Sequence, residues 1–300
     1  MASRLRDLPK AWATVIISDL GIDGGKEKEV KDAFREASKS HKIIYIDHHA
    51  LPRGITKKAL QCEEFVFRRK KSTSELAMDY FKPPEHLEYI ALLGAICDYF
   101  EHTPKMRRLL GKYGYRKAYT EAQRLDLALE VSREDHPFKR SVIEGLVQGL
   151  WPSFIPSLLD RSRFALKQEV ALRNYVRENV HKNGKNVAFV TDVPFVGTGK
   201  AALYAVEIVN AEIGIATVRD DDHLRLSVRR NKRSNLNLRA LVDKATLKSG
   251  GGGGGHIAAA GGRVPIGKFD SFIKNHEGEH PCAKSVLMGV VKLIIVQSSR

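Results

Sequence analysis

Three hundred residues, 43% of them hydrophobic and 28% charged, are enough for two domains with real cores and exclude a disordered chain. No apolar stretch is long enough to span a membrane, and Met1 to Lys10 is too charged for a signal peptide, so no membrane partner is expected. Fifty Lys and Arg against 35 Asp and Glu leave a formal charge of +15, which favours nucleic acid as a partner over a merely solvated basic surface. The charge clusters at Arg68-Arg69-Lys70-Lys71 and at Arg229-Arg230-Asn231-Lys232-Arg233. Cys62, Cys97 and Cys282 are odd in number and lack metal-type spacing, which predicts buried, reduced thiols in a cytoplasmic protein.

In chain order, Ala13 to Ser18 reads as a buried strand ending at Asp19-Leu20-Gly21, and Lys26 to Ser38 as a helix with Val30, Ala33, Phe34 and Ala37 on one face. Ile43 to Ile46 and Phe65 to Phe67 read as strands, followed by helices over Ser72 to Phe81 and over the nearly all-apolar Leu87 to Phe100. Alternation of this kind predicts a parallel sheet. Pro104 to Val180 is helical and charged, with breaks near Gly111, Pro137 and Pro152, and Asn183-Gly184 ends it. The remainder alternates again: a strand from Val187 to Thr191, a helix from Lys200 to Val209, strands near Ile213 to Val218 and Leu224 to Val228, and a helix from Asn235 to Lys244. A late apolar strand is expected within Val286 to Val296. The fold class is therefore α/β and two-lobed: a parallel-sheet first domain over 1–103, a helical connector over 104–183, and a smaller α/β domain over 184–300.

Two motifs carry chemistry. Asp47-His48-His49 follows the run Ile43-Ile44-Tyr45-Ile46, placing a carboxylate and two imidazoles at the carboxyl end of a strand, where open α/β sheets hold ligands. Asp19 ends another apolar strand, so two parallel strands would set these polar ends side by side. Asp98 closes an apolar helix, and a buried carboxylate must be paired or must coordinate a metal. The second motif is the run Gly250 to Gly255, which meets His256 and Ala258 to Gly262. Read as a turn opening onto a helix N-terminus it suits a phosphate, with a low-complexity linker as the alternative. Gly197-Thr198-Gly199-Lys200 fails the nucleotide-loop pattern, which needs Gly where Pro194 stands and Ser or Thr where Ala201 stands. Together these motifs point to metal-dependent phosphoester chemistry.

With its motifs in this order, the chain resembles the DHH phosphoesterases, the superfamily of RecJ-type exonucleases and nanoRNases. Val15 to Gly21 looks like the family's second motif, Asp47-His48-His49 like its third and Leu92 to Asp98 like its fourth. Leu226-Ser227-Val228-Arg229 and Gly253-Gly254-Gly255-His256 through Ala259-Ala260-Gly261 look like the DHH-associated C-terminal domain. The resemblance implies two divalent ions, usually manganese, flanking the scissile phosphate. It makes Asp19 their shared ligand and adds His48 and Asp98 to one of them. It implies that Asp47 orients an imidazole and that His49 faces the phosphate oxygens. Mixed Asp and His ligands suit manganese better than calcium and leave magnesium and zinc open. Arg229 and the Gly253-Gly254-Gly255-His256 segment would bind substrate, Arg229 through its two-pronged donor set.

The family's first motif, His-x-Asp-x-Asp-Gly, belongs one strand and one helix before Asp19, and the eighteen residues ahead of Asp19 do not contain it. A truncated start and a naturally non-catalytic paralogue both fit that departure. Three functions follow. The first is a metal-dependent phosphodiesterase or exonuclease on single-stranded DNA or short RNA, impaired by the missing motif. The second is a non-catalytic single-stranded nucleic-acid binder, with replication or repair proteins as partners. The third, a small-molecule nucleotide phosphatase, is disfavoured by the charge.

Overall fold

The computed structural model describes residues 1–9, 11–22, 25–183 and 186–266. Among them the chain divides into two units, one built from residues 1–22 and 26–167 and the other from residue 25 and from residue 168 onward.

In the first unit α1 (Ala2–Arg6) precedes β1 (Thr14–Ser18), α2 (Glu27–Ala37), β2 (Lys42–Asp47), α3 (Lys57–Leu60), β3 (Glu64–Phe67) and α4 (Thr73–Phe81). The three strands pair in chain order and all in parallel, with Ile16 opposite Ile44 and Ile46 opposite Val66. Central β2 is buried on both faces. Ile43 and Tyr45 share a core with Val30 and Phe34 of α2, and Ile44 and Ile46 pack with Leu76 of α4. Burial on both faces explains why β2 is a continuous apolar run instead of an alternating one.

After a short 3-10 turn, α5 (Glu88–Cys97) forms the centre of a second core. Its Leu92, Leu93 and Ile96 cluster with Met106 and Leu109 of α6 (Pro104–Tyr113), Ala118 and Ala122 of α7 (Tyr115–Val131), and Val142 of α8 (His136–Val147). The expected helix to Phe100 stops at Cys97. Asp98 closes it, Tyr99 takes a left-handed φ of 60°, and the Phe100 N–H turns back to the Ala95 carbonyl. The break expected near Gly111 falls at Gly114, whose φ of 86° joins α6 to α7. Cys62 is buried as expected, Cys97 is exposed, and Cys282 lies outside the described residues.

The long helix α9 (Leu158–Asn179) leads into a six-stranded sheet. Its members are β4 (His181–Asn183), β5 (Val187–Val190), β6 (Ile213–Asp220), β7 (His223–Arg230), β8 (Gly252–Gly255) and β9 (Ala259–Pro265), in the order β4-β5-β6-β7-β9-β8. β5 and β6 are parallel, and the other neighbours are antiparallel. On one face α10 (Thr198–Val209) packs Ala201, Ala202 and Ala205 against Ala188, Val190 and Ala216. On the other, Leu238 and Val242 of α11 (Leu238–Lys248) pack against Phe189, Ile215 and Val228. α11 begins later than the expected Asn235 because the Asn237 side chain caps it, accepting the Ala240 N–H at 3.2 Å.

The glycine run corrects an expectation. It does not open onto a helix: Gly252–Gly255 is strand β8, and Ala259–Pro265 returns beside it as β9. The reason is steric. A Cβ at Gly253 would stand 2.7 Å from the Thr246 hydroxyl of α11, and one at Gly251 would stand 1.9 Å from the Arg263 carbonyl oxygen. The backbone of this hairpin lies too close to its neighbours for side chains. The late strand expected within Val286 to Val296 lies outside the described residues.

Helix and sheet approach tightly at Gly214 in β6, where a Cβ would meet the Ala202 carbonyl oxygen of α10 at 1.9 Å. Gly214→Ala should therefore force α10 off the sheet and destabilise the protein by about 1–3 kcal/mol. A urea unfolding curve reads the effect, and an unchanged midpoint would show that this contact is not tight.

Candidate metal centre

The parallel pairing of β1 and β2 brings their carboxyl ends together. Ser18 lies opposite Ile46, and the Asp19 N–H donates to the Ile46 carbonyl at 3.1 Å. Asp19 turns the chain in the left-handed region, with φ 55°, a conformation that Asp tolerates better than most residues. Its Oδ1 accepts the Thr73 hydroxyl at 2.8 Å.

Asp47 is fully buried at the end of β2. Its Oδ1 accepts the His49 backbone N–H at 2.6 Å and pairs with His49 Nδ1 at 2.7 Å, while its Oδ2 accepts the Tyr45 hydroxyl at 2.9 Å. Burial opposes the Asp47 charge, but the hydrogen bonds from His49 and Tyr45 outweigh it and hold the carboxyl below its ordinary range. The same bond from Asp47 raises the His49 imidazole against the effect of burial. Burial pushes the Tyr45 phenol far up, so it keeps its proton and donates.

His48 is buried and points the other way. Its Nδ1 lies 3.0 Å from the Lys71 carbonyl oxygen, which can only accept, so Nδ1 carries the hydrogen. Nε2, on the other side of the ring, lies 3.3 Å from Asp98 Oδ2 and 3.6 Å from Asp19 Oδ1. The Phe100 ring, 4.9 Å away, backs the imidazole. Burial first, and then the charge of Asp19, push the Asp98 carboxyl up to about 6 against the pull of His48. A cation between these groups would relieve that cost. Asp19, His48 and Asp98 each offer a ligand atom within 4.8 Å of the others, as do Asp19, Asp47 and His49, and Asp19 belongs to both groups. An imidazole fixed by a carbonyl and two carboxylates is a donor set that fits a divalent transition metal.

The remaining expected site residues lie in the second unit. Arg229 on β7 lies across Gly199 at the start of α10, where a Cβ would meet its guanidinium nitrogen at 2.4 Å. Arg229 pairs in register with Ala259, Gly255 pairs with Ala260, and the His256 N–H donates to the Ala259 carbonyl at 2.7 Å. These three residues therefore share one end of the β7-β9-β8 ribbon. Gly254 pairs with Gly261, and Gly253 lies against Thr246 and Val242, which gives Gly253 a packing role. The sequence reading missed Thr73 and the Lys71 carbonyl. Ser72 to Phe81 reads only as a helix, and in the structure Ser72 caps it, accepting the Glu75 N–H at 3.1 Å.

His49 binds its proton more tightly in the folded chain than unfolded, because of Asp47. The stabilisation from this pair is complete below the ordinary histidine value and is lost as pH rises through the raised one. Asp47→Asn should return the His49 titration toward its ordinary position, as read by NMR. An unmoved titration would show that Asp47 does not hold this ring.

Residues 183–278 match the DHHA1 domain family. No curated protein matches the sequence. Among solved structures, the PF0399 DHH domain is 17% identical with a TM-score of 0.59, over 87% of this chain and 68% of that one. A pGpG-specific phosphodiesterase, PggH from Vibrio cholerae, is 14% identical with a TM-score of 0.48, over 88% and 97% of the two chains. RecJ from Thermus thermophilus, solved with magnesium, is 13% identical with a TM-score of 0.46, and this chain spans 50% of it. Residues 183–278 thus match the DHHA1 family, and the chain shares its fold with the PF0399 DHH domain.

Proposed function

We propose that this protein is a phosphodiesterase of the exonuclease type acting on single-stranded nucleic acid or short oligonucleotides, with a divalent cation, manganese first, held by Asp19, His48 and Asp98. The observation that carries this reading is the convergence of His48 Nε2 with the Asp19 and Asp98 carboxylates at the carboxyl ends of β1 and β2. When bound there, a divalent cation supplies Lewis-acid polarisation of a phosphoryl oxygen or of water. His49, turned by Asp47 and favouring its protonated form, is suited to donate to a phosphate oxygen. Arg229 offers planar paired donors for a substrate phosphate in the second unit. Support for a nucleic-acid substrate comes from the charge of +15 and its clustering at Arg68 to Lys71 and Arg229 to Arg233.

The same geometry sets the expected activity of residues 1–300. The group of Asp19, Asp47 and His49 is already committed internally, because both Asp47 Oδ1 contacts go to His49. A second cation beside the first needs more carboxylate than the described residues bring here, since two dications repel at close range. We therefore expect one manganese site per chain by calorimetry and slow manganese-dependent cleavage of a labelled oligonucleotide. Asp19→Ala and His48→Ala should each weaken manganese binding tenfold or more. No manganese binding by the wild-type chain would overturn the reading. Brisk hydrolysis with two ions would overturn the expected impairment, and tight oligonucleotide binding without cleavage would make the protein a binding module.

Arg68, Arg69 and Lys70 are exposed, whereas the Lys71 ammonium is taken by Asp79 at 2.6 Å. Affinity for single-stranded oligonucleotides should fall steeply with salt, and Arg69→Ala with Lys70→Ala should flatten the slope by roughly 0.7 for each phosphate no longer neutralised. A salt-independent affinity would count against this substrate class.

A further inference from the structure

Lys71 is anchored at both ends. Its carbonyl accepts the His48 Nδ1–H at 3.0 Å, and its ammonium lies 2.6 Å from Asp79 Oδ2 and 3.0 Å from Glu75 Oε1. Both carboxylates project from α4, the helix that starts two residues later. Neither is free to move. Glu75 is fully buried, and its Oε2 accepts the hydroxyl of Thr103, the N-cap of α6, at 2.8 Å. Asp79 also holds Lys105 of α6. In the same stretch of chain, Thr73 donates to Asp19 Oδ1 at 2.8 Å. One short segment, Lys71 to Thr73, thus touches two of the three groups that converge on the proposed cation.

Sequence charge alone placed Lys71 among the phosphate-binding cations. The structure assigns it elsewhere: we propose that the ionic chain of Glu75, Lys71 and Asp79 is a positioning device for His48, fixing its tautomer and direction through the Lys71 carbonyl. The inference rests on the reading of His48 as a cation ligand. First, a metal-binding imidazole needs a fixed partner on its other nitrogen, because that partner decides which nitrogen keeps the lone pair. Here the partner is a main-chain carbonyl at the edge of a loop, directly after the exposed residues Arg68 to Lys70. Such a carbonyl is only as well placed as its own residue. Second, buried ion pairs add little net stability compared with apolar packing of the same volume. A fully buried Glu paired to Lys71 is therefore better explained by the geometry it imposes. Third, the network reaches from α4 to α6, so the carbonyl is referenced to two packed helices as well as to its own loop. Burial works against charge on both Lys71 and Asp79, yet the bonds to Asp79 and Glu75 raise the Lys71 ammonium, and those from Lys105 and Lys71 lower the Asp79 carboxyl.

The test uses the full chain without metal, in mildly alkaline solution, where long-range proton–nitrogen NMR distinguishes the two neutral imidazole tautomers. Manganese calorimetry and a thermal melt accompany it. In the wild type His48 should be a single Nδ1-protonated form. Lys71→Met should give mixed tautomers and weaken manganese binding about tenfold to a hundredfold. Asp79→Asn should act in the same direction, and Lys71→Arg should restore both readouts. Should Lys71→Met fail to fold because Glu75 is left unpaired, Lys71→Met with Glu75→Gln takes its place. The proposal is overturned if Asp79→Asn and the folded Lys71 variant both keep the Nδ1-protonated form with manganese affinity within about twofold of wild type. A wild-type chain that binds no manganese would defeat the reading of the metal centre, whereas the tautomer spectra would still decide whether Lys71 positions His48.

Discussion

Everything at the candidate centre depends on the parallel register of β1 and β2. Because Ser18 lies opposite Ile46, the two strands end level with one another, and Asp19 leaves one strand where Asp47-His48-His49 leaves the other. A shift of one residue would reverse the faces of the β1 side chains and separate the donors. On β1 itself, Ile17 joins the core of Ile43 and Tyr45 on the α2 side while Ile16 stands exposed, so a one-residue slip would bury the wrong side chains. Hydrophobic packing in the body of the sheet thus fixes the placement of polar groups at its end.

Those polar groups then sort one another by hydrogen bonding. Asp47 is consumed locally, accepting both His49 N–H groups and the Tyr45 hydroxyl, so its charge is satisfied inside the protein. Asp98 is not satisfied in this way. It closes α5 in a half-buried position, and burial first, with the nearby Asp19 charge adding to it, raises its carboxyl against the pull of His48. One acid is therefore stabilised as an anion by its neighbours, while burial raises the other toward its neutral form. That contrast between two nearby carboxyl groups gives the centre its polarity, and buried His48 has one nitrogen on the Lys71 carbonyl and the other beside Asp98.

The second unit meets a different constraint. Its ribbon of β7, β9 and β8 passes beneath α11 so closely that glycine is required at several positions. The same ribbon carries Arg229, Gly255 and His256 at one end. Glycine here serves close packing within the hairpin, and the phosphate-binding chemistry proposed for it rests on the end of the ribbon, where backbone and the Arg229 side chain come together.

The sequence by itself determined the α/β class, the buried strand ahead of Asp47-His48-His49, and the turn at Asp19, because continuous β-branched runs and abrupt polar ends report local environment directly. The position of Asp98 at the end of an apolar helix was also legible, for the same reason. The tertiary structure alone decided what those residues face. Thr73 and the Lys71 carbonyl were invisible as site components, since a helix cap and a main-chain oxygen carry no distinctive residue type. Lys71 looked like a surface cation because composition cannot apportion an ammonium between solvent and a buried carboxylate. The glycine run looked like a phosphate loop because glycine has no side chain whose periodicity would announce a strand. Local patterns reveal which residues are apolar, charged or strained; which of them meet is settled only when strand register and helix packing fix distances across the fold.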